Sequence, residues 1–322
     1  MSNHINSDVI RMSDIKEQKV QWLWYPYIPA GKITMLQGDP GDGKTMLILT
    51  LSALLSNGLP LPEQETGTEP ITIIYQTAED GLEDTIKPRL VAAGADCERI
   101  ILINDSEIPL TIADKRIGDT ILSEKAKLLI LDPLQAFLGE NTDMHRANAV
   151  RPLFSKLAQM ANKTGCAVVI VGHMNKMQGS KAIYRGLGSM DFNAIARSIL
   201  IVGRSKDNQS RRMMAHLKSS LAPFGKSQCF EIDGGIQFTG TCDITAEQLL
   251  NGGGYGENFT PKKKDFAVEK LQDLLSEGEV PSTKIYEYFA DMGISKRTVE
   301  NARKQLGVVS SKQGGKFYCF LP

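Results

Sequence analysis

The stretch Gly38-Asp39-Pro40-Gly41-Asp42-Gly43-Lys44-Thr45 decides how the rest of this chain is read. It fills every position of G-x-x-x-x-G-K-[ST], a loop whose glycines let backbone N–H groups turn inward around an anion. The flanks supply the context. Lys32-Ile33-Thr34-Met35-Leu36-Gln37 reads as a short apolar strand, and Met46 to Leu55 reads as a buried helix. Strand, glycine loop and helix put the positive end of a helix dipole against the same anion. The loop as a whole, Gly38, Asp39, Pro40, Gly41, Asp42, Gly43, Lys44, Thr45 and the following Met46, is therefore the expected nucleoside triphosphate site. Lys44 is expected to reach the β- and γ-phosphates, and the Thr45 hydroxyl to help hold Mg²⁺.

Outward from the loop, β-branched and polar segments alternate. Ile71 to Gln76 reads as a buried parallel strand that delivers Thr77-Ala78-Glu79-Asp80 at its C-terminal end, the edge of an α/β sheet where ligands bind. A helical stretch runs through Arg89 and Val91, Ile100 to Ile103 is a short strand, and Thr111 to Glu124 is a helix. Lys127 to Leu131 is an apolar run closed by Asp132, the pattern of a Walker B strand whose carboxylate serves Mg²⁺. Residues 147 to 163 form an amphipathic helix, and Cys166 to His173 is another central strand. Phe192 to Ser198 is predicted helical, Ile199 to Gly203 a strand ending at Arg204, and 213–218, 229–232 and 236–238 antiparallel strands. The alternation predicts a mainly parallel, twisted sheet with helices on both faces.

Composition narrows the class without naming it. Forty-two per cent hydrophobic and 23% charged residues are ordinary for a globular protein. The formal net charge is zero, so any grip on nucleic acid has to come from local patches. No apolar run is long enough to span a bilayer, and the first residues lack the pattern of a signal peptide. Five scattered cysteines with no C-x-x-C pair point to reduced thiols in a cytoplasm rather than a zinc site.

Several segments carry two readings. In Trp22 to Gly31 an aromatic either stacks on a base or packs against the sheet edge, and packing is the favoured reading. The stretch 174–190 carries Lys176, Lys181 and Arg185 with almost no acid, which suits a phosphodiester backbone or an ordinary surface loop. Residues 249–264, with Gly252-Gly253-Gly254 and Lys262-Lys263-Lys264, read as a flexible basic linker. Residues 265–322 read as three helices and a hairpin, a winged-helix outline. Lys296, Arg297 and Lys304 decorate its third helix, either for DNA or as the solvated face of a protein-docking module. The division is then an arm at 1–20, a large domain at 21–248, the linker, and the C-terminal domain.

The order of motifs resembles a family. An early P-loop, Thr-Ala-Glu on a second strand, Leu-Asp-Pro on a third and Val-Gly-His on a fourth resemble the RepA-like helicases. These are RecA-fold replicative ring motors of plasmids and phages, related to the DnaB type, and the resemblance covers about residues 20 to 240. It implies that Glu79 activates the attacking water and that Asp132 is the Walker B acid. It implies that His173 senses the γ-phosphate and signals to DNA-gripping loops, and that Arg204 is an arginine finger inserted into a neighbour's site. Lys218 resembles a basic residue near the same phosphate. Relatives carry a second basic residue two positions on, where this chain has Ser220, which moves weight to Arg204.

The resemblance implies ATP with Mg²⁺, single-stranded DNA, and a homo-oligomer, most simply a hexamer. With the P-loop this early, loading and primer synthesis are expected from a separate loader and primase. The alternatives are a RecA-like recombination ATPase and a DNA-binding replication regulator switched by ATP.

Overall fold

The computed structural model describes residues 10–139, 147–174, 194–205, 208, 210–250, 259–261, 263–276, 278–291, 294–314 and 316–321. The elements, in chain order, are β1 (Trp22–Trp24), β2 (Ile28–Pro29), β3 (Ile33–Gly38), α1 (Lys44–Ser56), β4 (Ile73–Thr77), α2 (Lys87–Ala92), β5 (Ile100–Ile101) and α3 (Lys115–Ser123). They continue with β6 (Leu128–Asp132), α4 (Ala147–Thr164), β7 (Ala167–His173), β8 (Ser198–Arg204), β9 (Arg211–Ser219), β10 (Ser227–Ile232), β11 (Ile236–Cys242), α5 (Ala246–Leu250) and β12 (Phe259–Pro261). A C-terminal group follows: α6 (Lys263–Ser276), β13 (Val280–Pro281), α7 (Ser282–Asp291), α8 (Lys296–Gln305), β14 (Val309–Gln313) and β15 (Lys316–Phe320).

One ten-stranded sheet organises the large domain, in the order β12-β11-β10-β9-β8-β3-β7-β6-β4-β5. From β8 to β5 every pairing is parallel, and from β8 to β12 every pairing is antiparallel. The expected mainly parallel α/β sheet is present, with an antiparallel extension longer than the sequence suggested.

The strand periodicity explains why these runs are apolar throughout. In β6, Leu129 and Leu131 face one core with α3 and α4, while Leu128 and Ile130 face the other with α1. Strands buried on both faces cannot alternate apolar with polar residues. The first core takes Ile117, Ile121, Phe154 and Leu157 from the helices, and the second takes Leu47, Ile48, Leu51 and Leu55 from α1. Helix α1 is therefore a buried central helix, as its sequence predicts.

Boundaries moved where local hydrogen bonds outrank propensity. The helix expected from Thr111 starts at Lys115 because the Asp114 carboxylate accepts the Arg116 N–H and caps it. The helix through Arg89 is a wide turn at Leu82–Ile86 followed by α2. The helix expected to Ser198 ends earlier, since Ser198 already pairs in β8 beside Thr34 of β3. Trp24 and Tyr27 pack in the sheet core, Trp24 donating to the Pro62 carbonyl, so the packing reading of the aromatic stretch stands.

The linker is shorter than its glycines suggested. Phe259–Pro261 pairs with Gly240–Cys242 of β11 and forms the last strand of the sheet. Its proline stands on an edge strand, where a missing N–H is tolerated. In the C-terminal group, Leu271, Leu275, Ile285, Phe289 and Val299 form a separate apolar cluster under a three-stranded sheet ordered β13-β15-β14. Among the described residues no helix is long and apolar enough to cross a membrane, and all five cysteines are free.

Candidate nucleotide-binding site

The P-loop turns off the end of β3, in the middle of the sheet. In register, Gly38 stands beside His173 at the end of β7, and β8 ends on the other side at Arg204. Alternation aims the decisive side chains to one face. In β8, Leu200 and Val202 face the α1 core, so Arg204 does too; in β6, Leu128 and Ile130 do, so Asp132 follows.

Gly41 and Gly43 hold φ of +78° and +92°, a region that only glycine enters without strain. Gly43 is also the cap of α1, and no side chain among the described residues caps that end, which leaves the first-turn amides aimed at the loop. Space is tight: a Cβ on Gly38 would fall 2.3 Å from the Val202 carbonyl oxygen, and one on Gly43 2.4 Å from Ile232 Cδ1. Lys44 lies buried beneath the loop and donates to the Gly38 and Asp39 carbonyls at 2.9 and 2.8 Å. Burial pulls its ammonium below the usual lysine range, against the opposing pull of Asp42 and Asp132.

Thr45 Oγ1 donates to Asp132 Oδ2 at 2.8 Å. Burial raises the Asp132 carboxyl above the ordinary range, while the hydrogen bonds from Thr45 and Tyr75 hold it down. A cradle of positive-φ glycines, a lysine beneath it and a hydroxyl–carboxylate pair of hard oxygen donors fit a triphosphate with Mg²⁺.

The remaining candidates fall in two places. Glu79 follows β4, its side chain 63% exposed, and His173 Nε2 lies 3.9 Å from Glu79 Oε2 while His173 Nδ1 is buried without a hydrogen-bond partner among the described residues. Asp80, beside Glu79, is committed elsewhere, in a 3.1 Å ion pair with Arg89. Arg204 sits on its own P-loop: Nε donates to Asp42 Oδ1 at 3.0 Å and Nη2 to the Gly41 carbonyl at 2.8 Å. Lys218 is remote from that loop. It pairs with Ile199 near the start of β8 and donates to the Ala196 carbonyl at 2.8 Å, while Arg212, opposite Arg204, is six residues away along β9, roughly 20 Å.

Lys176, Lys181 and Arg185 lie outside the described residues. In the C-terminal group Lys296, Arg297 and Lys304 are exposed, Lys296 leaning over the Tyr286 ring at 5.1 Å. Arg303 is half-buried there, donating to Tyr286 and Ser310.

Three contributors escaped the sequence reading. Tyr75 donates to Asp132 Oδ2 at 3.0 Å; its strand position, two residues before Thr77 on the same face, was the available signal. Arg212 lies opposite Arg204 in the β8–β9 ladder, close enough for Arg204 and Asp42 to bear on its charge. Finally, the β10–β11 hairpin lies against α1. Met46, Thr50 and Arg89 with Gly234, Ile236 and Phe238 wall a mostly apolar cleft of about 520 Å³ beside the loop.

A central P-loop, a strand-end aspartate bonded to the P-loop threonine, and a mainly parallel sheet of this order define a P-loop domain of RecA-like fold. Residues 3–179, more than half of the chain, match the AAA domain family (AAA_25), and the chain belongs to it. Among curated relatives, the DNA repair protein RadA of Brucella abortus is 29% identical over 45% of this chain and 29% of its own length. The RadA of Streptococcus pyogenes is 23% identical over 69% of this chain and 44% of its own. The chain thus spans less than half the length of these relatives. A solved structure of a KaiC-like protein from Pyrococcus horikoshii aligns over 66% of this chain and 90% of that one, with 19% identity and a TM-score of 0.47.

Proposed function

We propose that this chain is an ATP-driven motor on single-stranded DNA, a ring-forming helicase or translocase serving replication of a mobile element such as a phage or plasmid. The observation that carries the reading is the 3.9 Å approach of His173 to Glu79. Glu79 is the carboxylate able to orient water at the γ-phosphate, and His173 is the last residue of the strand that runs into the basic stretch with Lys176, Lys181 and Arg185. A change in how Glu79 is held during hydrolysis is thereby passed to the segment suited to a phosphodiester backbone.

The chemistry needs positioning and charge neutralisation. The amides of Gly41 to Thr45 and the N-terminus of α1 receive the phosphates, and Lys44 exchanges its two carbonyl partners for phosphate oxygens. Thr45 and Asp132 would hold Mg²⁺, which would supply charge neutralisation to the phosphates. The apolar cleft beside Met46 takes the base, with Arg89 at its wall. Lys218, away from its own loop, suits a contact with a neighbour's nucleotide. Completion of each site by the next subunit makes hydrolysis depend on assembly, most simply a hexamer with a separate loader and primase. Turnover per subunit should fall on dilution through dissociation of the ring.

The C-terminal group supports a winged-helix reading. Arg297, Asn301 and Lys304 share one exposed face of α8 at i, i+4, i+7 spacing, suited to duplex backbone. The RadA relatives favour a second reading, a RecA-like recombination ATPase, which electron microscopy separates by filaments instead of rings. A regulator switched by ATP would bind one duplex sequence without separating strands.

The decisive experiment is unwinding of a tailed duplex by wild type and Lys44→Ala. Strand displacement by wild type and none by Lys44→Ala is expected. A wild type that hydrolyses ATP on single strands yet displaces none would sink the helicase reading.

A further inference from the structure

Asp42 is an odd residue to find where it is. It lies inside the anion-binding loop, between the two positive-φ glycines, with its side chain only 10% exposed. Its Oδ2 accepts the Asp39 N–H at 3.0 Å, so an amide of the cradle is already bonded to an internal carboxylate. A fixed negative charge there repels the phosphates that the loop is shaped to hold. Among the described residues its direct counter-ion is Arg204, held by two bonds in a fork: Nε to Asp42 and Nη2 to the Gly41 carbonyl. Two features fix this arrangement. A Cβ on Gly41 would stand 2.8 Å from Arg204 Nη2, so the glycine is what lets the guanidinium close in. Gly203, just before it, lies so near Leu249 of α5 that a Cβ would come within 3.0 Å, and this packing sets the end of β8.

We propose that Arg204 serves the loop of its own chain: it neutralises Asp42, Asp42 in turn positions it, and the pair sets the affinity for the triphosphate. The inference rests on the reading of the loop as a nucleotide site and departs from the assignment of Arg204 to a neighbour. An arginine acting only on the next subunit has no need of Asp42. Here the two residues are coupled: Arg204 makes Asp42 tolerable beside a phosphate, and Asp42 with the Gly41 carbonyl holds Arg204 in place. Lysine is no substitute, because a point charge cannot bond the carboxylate and the Gly41 carbonyl in one plane.

The test is equilibrium titration with a fluorescent ATP analogue and Mg²⁺, with kcat measured separately at saturating ATP and folding checked by thermal melting. Arg204→Ala should weaken binding about ten- to a hundredfold, as one uncompensated charge near the phosphates requires. Asp42→Asn should bind at least as tightly as wild type. The double variant Asp42→Asn/Arg204→Ala should return to within about threefold of wild type, since coupled residues are non-additive. Arg204→Lys should stay weak. Wild-type affinity in Arg204→Ala with a lowered kcat would assign the arginine to a neighbour and overturn the proposal, as would a double variant as weak as Arg204→Ala. Failure of wild type itself to bind the analogue would overturn the site reading, and the pair's role with it.

Discussion

Tyr75 Oη donates to Asp132 Oδ2 across 3.0 Å, from a side chain wholly shielded from solvent. The same oxygen accepts Thr45 Oγ1, so one carboxylate oxygen joins β4, β6 and the start of α1. The Tyr75 hydrogen bond holds down an Asp132 carboxyl that burial raises. Tyr75→Phe should therefore raise it further and move the acidic limb of the kcat/KM–pH profile to higher pH. The lost bond should also cost about 1 kcal/mol of stability. An unshifted limb would show that Asp132 does not govern the profile.

Glu79 is exposed, and its side chain lies 3.9 Å from His173 Nε2. Glu79→Gln keeps its shape and removes its basicity, so ATP turnover should fall by about 10²–10⁴ while nucleotide affinity holds. His173→Ala should abolish the stimulation of turnover by single-stranded DNA. Steady-state assays with and without oligonucleotide distinguish the two.

His216 gives the large domain an acid limit. Its ring stacks on Tyr27 at 5.0 Å, Nδ1 accepts the Gly225 N–H, and burial pulls its pKa down to about 4 from 6.5. The unfolded chain binds the proton first, so stability is complete above about pH 6.5 and falls as the pH drops toward 4. By 1.36 kcal/mol per pKa unit the whole loss is roughly 3 kcal/mol, about 2 of it reached by pH 5. Urea melts at pH 7.5 and 5 should show this slope in wild type and a flatter one in His216→Asn.

Gly43→Ala faces two obstacles, the φ of +92° and the Ile232 methyl. The methyl is the mobile end of its side chain, whereas the backbone angle cannot relax without moving the loop. Strain of this kind costs about 1–3 kcal/mol, so the variant should melt lower and bind nucleotide poorly. Adding Ile232→Ala should restore little of either; substantial recovery would assign the defect to the clash.

Much of this was legible because the motifs sit at strand ends, where the chain itself sets the partner. The strands through Gly38, Asp132 and His173 were visible as apolar runs, and two-faced burial is what makes such runs continuous. The pairings that cross the sheet were not legible. Nothing local to Arg204 indicates that β8 lies beside β3 and turns the arginine onto Asp42, 162 residues earlier. Tyr75 looked like one more strand aromatic, since its value lies in a hydroxyl that meets Asp132 from the next strand. In the glycine-rich linker, composition concealed the short edge strand, because three ladder partners on β11 outweigh weak propensity.

That edge strand sets a length of leash. A chain free over residues 249–264 would wander roughly 20 Å, about 5–6 Å times the square root of its length. Pinned through Pro261, it has only residue 262 between the sheet and the start of α6, an advance of at most about 7 Å. The C-terminal unit is thus moored to the antiparallel rim, the margin farthest from β5. Its local concentration there is fixed by the fold and not by the length of the glycine run. Any ligand of that unit would be delivered to that rim.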